Sequence, residues 1–151
     1  MVGAYSPAAT VIKYWKLHGL DVPFLNISFV GAKALADQLK GKAKNVYVTQ
    51  VVPNPWDASL PLVKEYQEKV KSDFEFISLE GFALAKVFHM ALQKAGTSFD
   101  ANQLKSAIEK LNVDIGGVTV NFSSKSHQGL KKVYLSKFND SGTFTYVDHL
   151  D

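Results

Sequence analysis

One run constrains the fold of this chain more than any other: Val46-Tyr47-Val48-Thr49-Gln50-Val51-Val52, followed at once by Pro53-Asn54-Pro55-Trp56. Seven residues without a charge, four of them valine, fit a strand covered on both faces, as in a parallel sheet. Pro53 and Pro55 cannot donate to a strand ladder, so the pairing ends there and the chain continues as a stiff crossing segment. Upstream, Val22 to Ser28 reads as a strand and Gly31 to Lys40 as a helix, with Ala32, Leu35, Ala36 and Leu39 on one face. Strands followed by helices, with an extended segment passing between two groups of them, predict a bilobal α/β binder rather than one continuous sheet.

The remaining elements follow from local signals. Ser6 and Pro7 suit the N-cap and first position of a helix that carries Ala8, Val11, Ile12 and Trp15 inward and closes at Gly19. The preceding residues, Met1 to Tyr5, have the look of a strand end, as expected of a fragment. Beyond the prolines, Asp57 or Ser59 is a candidate cap for a helix to about Lys71, with Leu62, Val63, Tyr66 and Val70 inward. Ser78 to Ala95 is apolar nearly all round except at Lys86, His89 and Gln93, which predicts a mostly buried helix. Asp100 and Gln103 form a capping-box signature before Leu104, Ala107, Ile108 and Leu111. Three strand-like runs close the chain: Gly117 to Phe122, Lys132 to Phe138 and Thr143 to Asp148. Asn139-Asp140-Ser141-Gly142 marks a hairpin between the last two.

Composition removes several function classes. At 151 residues, 46% apolar and 21% charged, the chain has a globular composition and can bury a core. The net charge of +3 is spread over seventeen lysines with no arginine, which argues against a nucleic-acid surface. Without cysteine there is no disulfide, thiolate metal site or thiol nucleophile. No apolar run reaches membrane-spanning length, and the first residues lack the pattern of a signal peptide. The four histidines, His18, His89, His127 and His149, have no metal-ligand spacing, and no catalytic motif is present. Glu80 reads as an acidic residue of an early helical turn rather than a general base. These residues predict neither an enzyme nor a bound metal or cofactor.

Binding signals are stronger. Open α/β sheets hold ligands at the carboxyl ends of their strands, where loops run into helices. Two such loops are visible, Ala4-Tyr5-Ser6-Pro7 and Ile27-Ser28-Phe29-Val30-Gly31. Each sets an aromatic ring and a hydroxyl beside a helix start, an arrangement suited to a small ligand with an apolar body and an acceptor group. Tyr5 and Phe29 read equally well as core anchors and the serines as caps. The residues leave both readings open.

These loops, together with Thr49 to Pro55, Ser78-Leu79-Glu80-Gly81-Phe82-Ala83-Leu84-Ala85 and Ile115-Gly116-Gly117-Val118, resemble the type I periplasmic solute-binding proteins. The nearest branch is the Leu/Ile/Val-binding, receptor-ligand-binding-like group of ABC transporters. The resemblance covers nearly the whole chain and matches the C-terminal portion of a family member. It implies an α/β fold with a parallel sheet and Rossmann-like lobes, of which this chain holds parts of both. Residues 1–52 would belong to the second lobe, 53–116 to a crossing segment and first-lobe helices, and 117–151 to return strands and a terminal hairpin of the second lobe.

The resemblance further implies a ligand cleft between the lobes, with Tyr5, Ser6, Ser28 and Phe29 facing it and Gln50 on the hinge side. It implies a periplasmic or extracellular location, a small-molecule ligand and a membrane permease as partner. Amino-acid binders of this kind place a carboxylate near the position of Ser28, and this sequence has none there. A sensory ectodomain on the same fold is the alternative. An effector domain of a transcription regulator, a third reading, needs a helix-turn-helix that this sequence lacks. The helices between Leu60 and Leu111, which have no sheet of their own, suggest self-association of the isolated chain.

Overall fold

The structure, a computed structural model, describes residues 1–150. The chain divides into two compact units. One is Met1–Asn54 with Val133–Asp151, and the other is Pro55–Lys132.

The first unit is built on a four-stranded sheet of order β1-β2-β5-β6. Its elements are α1 (Tyr5–Leu17), β1 (Phe24–Asn26), α2 (Ala32–Gln38), β2 (Val46–Gln50), β5 (Tyr134–Phe138) and β6 (Phe144–Val147). β1 and β2 pair in parallel, Phe24 opposite Val46 and Asn26 opposite Val48. The expected strand at 46–52 is therefore present and central, though it ends at Gln50. Val46, Tyr47 and Val48 are all buried, so both faces of β2 are covered, as its unbroken apolar sequence requires. The neighbour on its other side, β5, is antiparallel, Tyr47 opposite Lys137 and Gln50 opposite Tyr134. The sheet is thus mixed: its parallel pair is joined by an antiparallel hairpin.

That hairpin closes on Asn139, whose Oδ1 accepts from the backbone amides of Ser141 at 3.1 Å and Thr143 at 2.9 Å. The Asn side chain thereby does the work of a backbone turn. Tyr146, on β6, stacks on Tyr134 with ring centroids 5.1 Å apart and donates its hydroxyl to the Val52 carbonyl at 2.7 Å. Burial, with the neighbouring Tyr134 phenol second, raises the pKa of Tyr146 well above the usual phenol range.

Two local expectations shift. α1 begins at Tyr5 with Ala4 as N-cap and no side-chain cap, so Ser6 and Pro7 lie inside the first turn. Proline is tolerated there because the first amides of a helix have no intrahelical acceptor. The residues before it form no strand, although the Met1 amino group donates to the carbonyl of Leu25 in β1. The buried arc of α1 is Ala8, Ala9 and Ile12, while Val11 and Trp15 are exposed. Two alanines narrow the arc and leave the larger residues on its rim.

The second unit is helical: α3 (Pro61–Val70), α4 (Phe76–Ala95) and α5 (Ala101–Glu109), followed by the ribbon β3 (Asn112–Asp114) and β4 (Thr119–Asn121). Tyr66 on α3 is fully buried. Its hydroxyl accepts the Glu75 amide at 3.0 Å and bonds the Ser78 hydroxyl, tying α3 to the start of α4. α5 opens on the expected capping box: Asp100 Oδ1 accepts the Gln103 amide and Gln103 Oε1 accepts the Asp100 amide, each at 2.8 Å.

α3 has no side-chain cap, neither Asp57 nor Ser59. The Leu62 amide instead donates to the Gly116 carbonyl at 3.0 Å. That approach needs glycine. Gly116 has φ +105, and a Cβ there would stand 2.6 Å from the Leu62 nitrogen.

The strand-like run 117–122 does not join the main sheet. Val120 of β4 pairs with Val113 of β3 inside the helical unit, and the chain returns to the sheet unit only from Val133. The last segment expected from sequence, 117–151, ends on Asp151, outside the described residues. α4 is also less buried than its composition suggests. Phe76, Leu79, Ala83, Val87 and Ala91 face inward, whereas Ile77, Leu84 and Phe88 are 58%, 60% and 50% exposed.

Candidate functional site

At the carboxyl end of β1 the chain makes a tight 3-10 turn over Ser28–Val30 and enters α2 through Gly31. Gly31 has φ +75, a left-handed conformation that glycine adopts without strain. Val30 is buried and anchors the turn, while Phe29 beside it is 72% exposed. A Cβ added to Gly31 would stand 3.8 Å from Tyr5 Cδ1. The start of α1 and the 28–31 turn are therefore neighbours, and Tyr5, itself 42% exposed, stands next to the turn that presents Phe29. The two loops singled out from sequence form one surface at the carboxyl ends of the strands. Of the two readings left open for Phe29, the core anchor is Val30 instead.

Ser28 is half-buried, and its carbonyl accepts the Gly31 amide at 3.3 Å. Ser6 is exposed in the first turn of α1, where its carbonyl accepts the Thr10 hydroxyl at 3.0 Å. Gln50 differs from the rest. It is 1% exposed, and its Nε2 donates to Ser136 Oγ at 3.2 Å. Ser136 Oγ in turn donates to the Val48 carbonyl at 2.9 Å. Gln50 is thus part of a polar contact inside the sheet rather than of an open surface.

One polar group near this surface escaped the sequence reading. Asn26, the last residue of β1, is buried, and its Nδ2 donates to the carbonyls of Phe24 at 3.3 Å and Tyr47 at 3.2 Å. Its Oδ1 has no hydrogen-bond donor among the described residues. Such an orphaned acceptor costs about 1–3 kcal/mol. The available signal was its spacing: Asn26 lies two residues from the buried Phe24 and so on the same side of the strand.

Charge is distributed unevenly about the sheet. Asp21, ahead of β1, bonds Lys44 and Asn45, and the Lys44 contact holds its carboxyl below the usual range. Asp140 in the hairpin accepts the Ala43 amide at 2.8 Å. Asp37 is on the last turn of α2, within 4.0 Å of Lys40. These three lie at the amino end of β1 and β2, opposite the aromatic surface. Lys33 lies in the first turn of α2, two residues after Gly31.

The histidines fall apart as their spacing suggests. His18 Nδ1 bonds the Tyr14 carbonyl at 2.8 Å, and His127 Nε2 lies 2.9 Å from Glu109. Among the described residues no group of three His, Asp or Glu side chains could hold a metal ion. None of the described helices is long and apolar enough to cross a membrane.

Comparisons with known proteins agree with this architecture. No curated protein matches the chain. The crystal structure of a possible leucine/isoleucine/valine-binding protein from Rhodopirellula baltica superimposes with a TM-score of 0.88 at 28% identity. The match covers 97% of this chain and 42% of that one. A fatty acid ABC transporter substrate-binding protein from Thermomonospora curvata gives 0.76 at 22% identity, over 99% and 42% of the two chains. A branched-chain amino acid ABC transporter protein from Thermus thermophilus with bound valine gives 0.77 at 16%, over 99% and 45%. The last two show the fold alone. The chain spans less than half the length of each of these structures. The family model described as periplasmic binding protein matches residues 1–143. The mixed α/β fold, the parallel strand pair and this match together place the chain in the type I periplasmic binding protein family, whose members are extracytoplasmic, non-enzymatic binders of small molecules.

Proposed function

We propose that this chain is part of the extracytoplasmic solute-binding component of an ABC-type transporter, not an enzyme. In the whole protein it would hold a small molecule in an interlobe cleft and deliver it to a membrane permease. Residues 1–54 and 133 onward would form second-lobe structure, and residues 55–132 first-lobe helices. The observation that carries this reading is the aromatic pair at the carboxyl end of β1. Phe29 stands exposed on a turn anchored by Val30, and Tyr5, also exposed, stands at the start of α1 beside Gly31 of that turn. Large exposed rings that anchor nothing are what a ligand surface needs. Ser28 adds a hydroxyl to this wall and Ser6 a second one at its margin. Gln50 acts from beneath by fixing the end of β2, not by touching ligand.

Calorimetry on the full-length protein carrying this chain tests the assignment. A panel of amino acids, fatty acids and aromatic acids supplies the probes. Tyr5→Ala and Phe29→Ala are each expected to weaken the best-bound probe by at least tenfold, with melting temperatures kept within a few degrees. Affinity unchanged in both variants would remove the wall from the binding site.

A further inference from the structure

We infer that Asn54 is the pivot of the first crossing from the sheet unit to the helical unit, and that Tyr146 and Gln67 are positioning residues that confine the motion to it. The inference rests on the reading of the whole protein as a two-lobed trap.

The chain leaves the sheet unit after Asn54 and re-enters it at Val133. The first crossing is held on either side of Asn54, once within each unit. The Val52 carbonyl accepts the Tyr146 hydroxyl at 2.7 Å, and Val52 is itself buried. The Pro55 carbonyl accepts Gln67 Nε2, on α3, at 2.9 Å. Between these two held carbonyls stand only Pro53, Asn54 and Pro55. The proline rings lock φ near about −65° at 53 and 55. Asn54 is the one residue of the three whose φ can turn. Hinges are a few residues at the ends of elements that absorb a change in φ and ψ, and the two clamps leave one such residue here.

The second crossing is built differently. No regular structure spans residues 127–133, and Val133 is exposed. Pairing resumes at Tyr134, opposite Gln50, and the Tyr134 ring stacks on Tyr146 with 16° between the planes. Tyr146 thus holds the sheet-unit end of both crossings, Val52 through its hydroxyl and Tyr134 through its ring. Removing the hydroxyl frees the Val52 carbonyl. The open protein then gains conformational freedom that closure on a ligand must remove, so affinity falls although no ligand contact is lost.

Distance measurements on the full-length protein test this. Lys40→Cys and Glu68→Cys, at exposed positions of the sheet unit and the helical unit, carry spin labels whose separation is read by pulsed dipolar spectroscopy. The probes are the amino acids, fatty acids and aromatic acids of the calorimetric panel. Tyr146→Phe and Gln67→Leu are each expected to broaden the ligand-free distance distribution and to weaken the best-bound probe by roughly three- to tenfold. Asn54→Gly, which loosens the pivot itself, is expected to give the broadest distribution. Tyr66→Phe also deletes a phenol hydroxyl, but one bonded to Glu75 and Ser78 rather than to a crossing. It is expected to leave distances and affinity at wild-type values.

A wild type that closes on a probe, with Tyr146→Phe and Gln67→Leu matching it in distance and affinity, would overturn the pivot and leave the trap in place. Equal broadening in Tyr66→Phe would also overturn it, as general loosening. A wild-type distance that no probe changes would overturn the trap and the pivot with it.

Discussion

β2 and α4 are both rich in apolar residues, and they meet solvent differently. β2 is paired along both edges by β1 and β5, and the burial of the successive residues Val46, Tyr47 and Val48 shows that both its faces are covered. α4 buries one face within the helical unit and leaves Ile77, Leu84 and Phe88 exposed on another. Positions 77, 84 and 88 recur at helical spacing, so the exposed residues form a stripe. The helical unit has only the β3-β4 ribbon as sheet. A helix with two apolar faces needs two layers to cover it, and this unit supplies one. β2 is closed over within its own unit, and α4 is not closed over within its own.

The largest effect expected from this contrast is at Gly116. Gly116→Ala would press a methyl against the Leu62 backbone and force a non-glycine residue to φ +105. A loss of about 3 kcal/mol or more is expected, confined to the helical unit. Amide hydrogen exchange can read the two units separately: α3 should lose protection while β2 keeps it. Equal loss in both would show that the units are not energetically distinct.

Tyr66→Phe comes next. It removes the hydroxyl that accepts the Glu75 amide and bonds Ser78. The cost expected is about 1–3 kcal/mol, again read as exchange in α3 and the start of α4. In the sheet unit, Tyr146→Phe should cost about 1 kcal/mol through the lost bond to the Val52 carbonyl. It should also flatten the alkaline limb of stability. The Tyr146 phenol is raised in the folded state. Above the unfolded phenol value, near pH 10, the unfolded chain therefore sheds a proton that the folded chain keeps. Stability falls as pH rises there, and thermal melts from pH 8 to 11 should fall less steeply in the variant.

The smallest effect on stability belongs to the α4 stripe. Replacing Leu84 and Phe88 by lysine and glutamate is expected to change monomer stability by no more than about 0.5 kcal/mol. The chain alone is expected to self-associate through this face, and the double variant to sediment as a monomer across concentrations. A wild-type chain that is monomeric throughout would mean that the stripe tolerates water.

What was legible in the sequence was local chemistry. The capping box at Asp100, the hairpin at Asn139 and the helix after Gly31 each depend on residues a few positions apart, and all three appear. The start of α1 moved because Pro7 suits more than one position of a first turn. The partners of strands were not legible. Nothing in Tyr134 to Phe138 says that it lies antiparallel to β2, or in Thr119 to Asn121 that it pairs with β3. These choices depend on packing between distant segments. The nearness of Tyr5 to Gly31 of the 28–31 turn is in keeping with a topological rule, whereas the burial of Gln50 and the orphaned oxygen of Asn26 depend on what β5 and β2 place around them.

The order β1-β2-β5-β6 has a consequence during synthesis. β2 must wait for a strand encoded far downstream, since Gln50 and Ser136 are 86 residues apart in sequence. At roughly 5–20 residues per second, the stretch between them takes about 4 to 17 seconds to emerge from the ribosome. During that interval β2, without a single charge, has a bare edge and no partner on one side. The helical unit is made whole within the same interval, so it can fold while the sheet is still half assembled. The nascent chain is most exposed to mispairing at β2, and a chaperone that shields an extended apolar segment would act there first.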